Sequence, residues 1–200
     1  MRESPFKTRL EAKVPARALL LLAGCLLLTA CQPEDGDLVP LPPGEGASVA
    51  TTEFKGDTLV VTRGGVTLRA WGRWRVADAA TSVILVASNA NAEPAAIDFG
   101  RGGLSREGGG LGRMTLRSVS REAGAGGPAA FLQDKSAEVA GGASDTFVLE
   151  YKMDSEDGSS GVPRDVKGQA VALHLPVEVR RGTIVDFVFG FRYEESRPRR

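Results

Sequence analysis

From Asp57 onward, apolar and polar residues alternate with a period of two, the pattern of strands that bury one face and wet the other. Leu59-Val60-Val61 and the run from Val66 to Val76 flank Arg63-Gly64-Gly65, which glycine's access to positive φ makes a tight turn. In the second run Val66, Leu68, Ala70, Trp74 and Val76 share one face; Thr67, Arg69, Trp71, Arg73 and Arg75 share the other. Thr81-Ser-Val-Ile-Leu-Val-Ala87 is short, apolar and β-branched, which predicts a central strand covered on both faces. It closes in Ser88-Asn-Ala-Asn-Ala-Glu-Pro94, a turn composition, and a short strand over Ala95 to Phe99 follows. Alternation resumes over Met114 to Val119, and Phe131-Leu132 starts a short strand or a helical turn.

The clearest strand of the second half is Asp145 to Met153, with Phe147, Leu149, Tyr151 and Met153 on one face. Gln169 to Val179 buries Val171, Leu173, Leu175, Val177 and Val179, and Pro176, which lacks an N–H, predicts an edge strand or a bulge there. Val185, Phe187, Phe189, Phe191 and Tyr193 form an aromatic stripe that reads as core, with Gly190 opposite marking a bulge or a close backbone approach. The pattern predicts an all-β domain over 57–194: seven to nine antiparallel strands in an antiparallel two-sheet sandwich, immunoglobulin-like in preference to a closed barrel. The order of strand, Asn- and Pro-bearing turn and short strand over 81–99 resembles the middle of secreted immunoglobulin-like sandwiches.

Ahead of this domain the pattern is different. A leader bearing Arg2, Lys7, Arg9, Lys13 and Arg17 precedes the apolar run Ala18 to Ala30, then Cys31 and Gln-Pro-Glu-Asp-Gly-Asp. A spanning helix needs roughly 20 apolar residues, and this run is shorter and stops at Pro33 and acids, which is the layout of an export signal over 1–30. Leu28-Thr29-Ala30-Cys31 resembles the lipobox of bacterial lipoproteins, whose cysteine is acylated and becomes the mature N-terminus. A second quartet, Leu22-Ala23-Gly24-Cys25, also fits; cutting there leaves only about seven core residues, so Cys31 is preferred and Cys25 is the alternative. Residues 31–56, rich in Pro, Gly and acids, read as the lipidated N-terminus and a flexible tether. Gln32, not aspartate, follows the cysteine; by the resemblance, this implies the outer membrane of a Gram-negative bacterium, on its periplasmic or surface face.

Charge and cysteine count narrow the classes. Five of the 25 basic and two of the 25 acidic residues precede Cys31, leaving 20 against 23, so the mature chain is mildly acidic and gives no electrostatic reason to bind nucleic acid. The one basic cluster is the 195–200 tail with Arg197, Arg199 and Arg200, read as a solvated end with a headgroup contact second. Both cysteines lie in the signal region, which leaves no disulfide and no thiol ligand for the domain.

Candidate chemistry is thin. Trp71 among Arg69 and Arg73 is either an arginine-stacked surface residue or the floor of a small-ligand or glycan groove, with the glycine-rich 100–113 loop as its other wall. That loop has no Gly-Lys-Ser or Gly-Lys-Thr ending, so a mobile hairpin loop is preferred to a phosphate cradle. The acids of 154–161 lack the spacing of a calcium loop. His174 is the sole histidine, no Gly-x-Ser-x-Gly elbow is present, and Glu150 and Asp186 are the strand carboxylates open to a glycosidase reading. One histidine cannot make a zinc site, and Met114 or Met153 beside it would be needed for copper. The sequence therefore predicts no catalytic residues, metal or cofactor: a non-enzymatic envelope lipoprotein, membrane-bound through Cys31, offering its sandwich to an envelope protein partner.

Overall fold

The computed structural model describes residues 35–41, 51–55, 58–75, 80–106, 114–122, 129–153 and 168–195. The export segment with Cys25 and Cys31, the acidic loop at 154–161, residues 107–113 and the tail from 196 lie outside the described residues. Within them the chain is all-β: β1 (Gly36–Pro40), β2 (Thr51–Lys55), β3 (Thr58–Arg63), β4 (Val66–Arg75), β5 (Ala80–Asn89), β6 (Ala95–Asp98), β7 (Gly103–Arg106), β8 (Met114–Arg121), β9 (Ala130–Phe131), β10 (Ser136–Val139), β11 (Ser144–Met153), β12 (Ala170–Arg180) and β13 (Thr183–Glu195). All pair antiparallel along one path, β10-β6-β12-β13-β1-β4-β5-β11-β8-β9, with β3 and β2 branching beside β4 and β7 beside β12.

Among the described residues thirteen strands replace the expected seven to nine. The surplus comes from short pieces such as β1, β2, β7, β9 and β10, of two to five residues, in which a period of two has no room to show. Two of them, β1 and β2, fall inside the expected 31–56 tether and correct it. Gly36–Pro40 is an interior strand, paired with β13 over Gly36↔Glu195 to Pro40↔Phe191 and with β4 over Gly36↔Trp74 to Leu38↔Gly72. Leu38 is 1% exposed. Its seat exists because residue 72 is glycine: a Cβ there would stand 2.6 Å from Leu38 Cδ1 and 2.8 Å from the Ser82 carbonyl oxygen.

The alternation itself follows the expected faces. Val66, Leu68, Ala70 and Trp74 of β4 are buried, as are Phe147, Leu149 and Tyr151 of β11 and the predicted apolar face of β12. Phe187, Phe189 and Phe191 are fully buried. β5 departs from its expectation: it alternates, with Val83, Leu85 and Ala87 buried but Ile84 and Val86 only half-buried on the outer side. Pro176 marks neither an edge nor a bulge at its own position. β12 is interior, and on the side away from β13 its partners are β7 at 171–174 and β6 at 177–178, so Leu175 and Pro176 fall in the gap between two short strands. Gly190 likewise keeps the β12–β13 register and accepts a hydrogen bond from Leu41 N–H at 2.9 Å.

Strands far apart along the path meet across one core. The rings of Phe99, just past β6, and Phe147 of β11 lie 5.1 Å apart across it, whereas Trp74 of β4 and Tyr193 of β13 make an edge contact at 5.2 Å over β1, the one strand between them. Tyr193 Oη lies 3.0 Å from Thr81 Oγ1 and donates to Met114 Sδ at 3.8 Å. Between β10 and β8, side chains do the joining: Arg121 donates to the Glu138 carbonyl at 2.7 Å and Lys135 Nζ to the Leu116 carbonyl at 2.8 Å.

The registers also give the domain two distinct ends. Gly36, Arg75, Ala80, Lys152, Ala170 and Glu195 lie at the end where β1 begins. At the other lie the turns after β3, β5, β10 and β12. Gly64 and Gly65, at φ +55° and +80°, close the two-residue β3–β4 hairpin in the left-handed region expected of them.

Candidate functional site

Trp71, Arg69 and Arg73 all project from the outer face of β4, as their parity requires, and the neighbouring strands set their surroundings. Trp71 is half-buried and heads an apolar row: it pairs with Ile84 of β5, which pairs with Val148 of β11, both half-buried. Arg69 and Arg73, both exposed, bracket this row. Arg73 pairs with Ser82 and, through Ser82, lines up with Glu150; its Nε lies 3.9 Å from Asp37 Oδ1 on β1. Glu150 accepts from Ser82 Oγ at 2.6 Å and from Arg75 Nη2 at 3.1 Å.

The expected stacking of arginine over Trp71 is absent from the ring contacts. Among the described residues the cation–π contact is Arg121 over Phe147, at 5.3 Å from the ring centroid. The groove with the glycine-rich loop also changes. Gly103–Arg106 is a strand, not a loop, with Leu104 buried; it pairs with β12 and runs beside β8. β4 pairs with β1, β3 and β5, so the two segments share no hydrogen-bonded neighbour. What the structure brings together around Trp71 is an apolar row framed by charged side chains on one sheet face.

The residues named for catalysis or metal binding are dispersed. His174 is exposed on the outer face of β12 opposite Val188, whereas Met114 is buried against Tyr193 on the core side. Glu150 is engaged by Ser82 and Arg75, and Asp186 is exposed on β13, its carbonyl accepting from Arg63 Nη1 at 2.6 Å. No group of three or more His, Cys, Asp or Glu among the described residues is placed to hold a metal ion.

Two polar features escaped the sequence. The Asn- and Pro-bearing turn after β5 is the tie of one end of the domain. Asn89, 2% exposed, donates to the Glu93 carbonyl at 2.8 Å and the Val139 carbonyl at 3.1 Å, and accepts from Asn91 N–H at 3.0 Å. Asn91 in turn donates to the carbonyls of Gly64 at 2.9 Å and Val179 at 3.2 Å. Two asparagines thus link the four turns; the signal was present in Asn-Ala-Asn but reads as turn composition alone. The second is Tyr151, 1% exposed, whose hydroxyl has no hydrogen-bond partner; burial pushes its phenol well above the ordinary tyrosine range.

Compared with known proteins, the chain matches no family model and no curated protein sequence.

Proposed function

We propose that the protein is a lipid-anchored, non-enzymatic envelope component of a Gram-negative bacterium, held in the outer membrane through Cys31 and presenting its β domain to a protein partner. The observation that carries the reading is Leu28-Thr29-Ala30-Cys31 at the end of a short apolar run behind a basic leader, with the first strand beginning at Gly36. Both cysteines precede that strand, so export and acylation account for all the thiol chemistry in the chain. In this reading the folded sheet is a two-layer, immunoglobulin-like sandwich, which the Phe99–Phe147 and Tyr193–Met114 contacts between strands distant along the path support. The test is metabolic labelling with palmitate in a Gram-negative host: label on the wild type and none on Cys31→Ser is expected, and an unlabelled wild type overturns the reading. Crosslinking in membranes followed by mass spectrometry tests the partner; recovery of no specific protein counts against it.

A second reading rests on the half-buried Trp71–Ile84–Val148 row between Arg69 and Arg73, which suits a small planar ligand or a sugar face. A thermal-shift screen with glycans and aromatic acids, repeated on Trp71→Ala, decides it. Shifts that survive the substitution remove Trp71 from the site.

A further inference from the structure

The place of β1 fixes more than the start of the fold. Five peptide steps separate Cys31 from Gly36, and whatever conformation those residues take, covalent geometry limits their reach to about 18 Å. β13 runs twelve steps from Thr183 to Glu195, about 40 Å at the rise of a strand. Gly36 is paired with Glu195, so it lies at one extreme of that length. A domain standing with its asparagine-tied turns on the lipid would hold Gly36 farther from the bilayer than the linker can stretch.

We propose that the end of the domain where β1 begins is the membrane-proximal end, so that the turns joined by Asn89 and Asn91 face away from the membrane. The proposal builds on acylation of Cys31 and adds an orientation to it. It also names the surface open to a partner: the cluster around Gly64-Gly65, Ala90-Pro94, Ala140-Ala143 and Arg181-Gly182.

The experiment uses the full, processed chain in vesicles of phosphatidylethanolamine and phosphatidylglycerol that carry a headgroup acceptor dye. A single donor dye is placed on Thr183→Cys or on Arg192→Cys, two exposed sites at opposite ends of β13, nine steps or about 30 Å apart. With Cys25 removed and Cys31 acylated, the introduced thiol is the one that reacts. Energy transfer severalfold greater from position 192 than from 183 is expected. Equal transfer, from a domain lying on its side, or the reverse order overturns the orientation while leaving the anchor intact. Intact mass of the same samples separates the two claims: a mature chain without lipid on Cys31, whether it is acylated on Cys25 or nowhere, overturns the anchor reading and the orientation with it.

Discussion

Leu38→Ala is the sharpest test of the domain's true beginning. Were residues 31–56 a free tether, truncating this side chain would leave stability unchanged. In the structure Leu38 is 1% exposed, held between ladders to β13 and β4, and seated over the backbone of Gly72. Because β1 is hydrogen-bonded on both sides, its backbone has little freedom to close over the space left. The cost then combines lost transfer energy with a residual cavity, about 3–4 kcal/mol on the scale of buried leucine truncations. For a domain of this size that lowers Tm by roughly 10 °C. Urea unfolding of the full chain, followed by the fluorescence of Trp71 and of Trp74, which is buried against Tyr193, measures it directly. Val39→Ala, on the half-buried opposite face, is the control and should cost about 1 kcal/mol or less. A Leu38→Ala loss below about 1 kcal/mol would refute the placement of β1 in the sheet.

Three further outcomes follow from the same geometry. Asn89→Ala removes three hydrogen bonds and strands two carbonyls, so a loss of about 3 kcal/mol is expected in urea unfolding, with faster amide exchange at Asn91 to Glu93 and Ala140 to Ala143; retention of full stability would mean the four turns hold without it. Gly72→Ala drives a Cβ against Leu38 and the unyielding Ser82 carbonyl and should cost about 1–3 kcal/mol by overpacking, read as a drop in urea midpoint. Tyr151→Phe deletes an unpartnered buried hydroxyl and should stay within about 1 kcal/mol of wild type at neutral pH. The sign at high pH is set by burial: the folded phenol holds its proton above the range where the unfolded one, near pH 10, releases it. Tyr151's contribution is thus fully present below about pH 10 and falls by up to about 1.4 kcal/mol per pH unit above it, a fall the variant loses when midpoints are compared between pH 9 and 12.

The strands that could be read in the sequence are those whose alternation is long enough to be unambiguous. β4, β11, β12 and β13 run ten residues or more, and their buried faces fall where parity puts them. The Gly64-Gly65 hairpin was legible for a local reason too, since two adjacent left-handed residues leave little choice but glycine. What parity could not supply is how strands share edges. Pro176 reads as an edge signal because a central strand donates to partners along its length, yet here β6 and β7 divide one side of β12 and leave a gap where the missing N–H falls. The outer row Trp71–Ile84–Val148 was invisible for the same reason: each residue is legible on its own strand, but their adjacency depends on β11 pairing with β5 across more than sixty positions of sequence.

β1 is the limiting case, and it ties the fold to the proposed function. Gly-Asp-Leu-Val-Pro offers two apolar residues between acids and prolines, a composition that by itself favours a solvated spacer. Its strand character is conferred from elsewhere: by the missing Cβ of Gly72, by the ladder from Phe191 to Glu195, and by the Leu41 N–H bond to Gly190 that carries the pairing past Pro40. A segment that gains so little from its own sequence gains nearly everything from its two neighbours, so weakening either neighbour frees it. Gly72→Ala therefore acts on the linker as well as on the core. By loosening Leu38 it lengthens the chain between Cys31 and the first fixed residue, and the donor dye at Arg192 in the vesicle experiment should lose transfer efficiency in that variant. Unchanged transfer from position 192 in a Gly72→Ala protein that is measurably destabilised would mean that the spacing to the membrane is set by something other than β1.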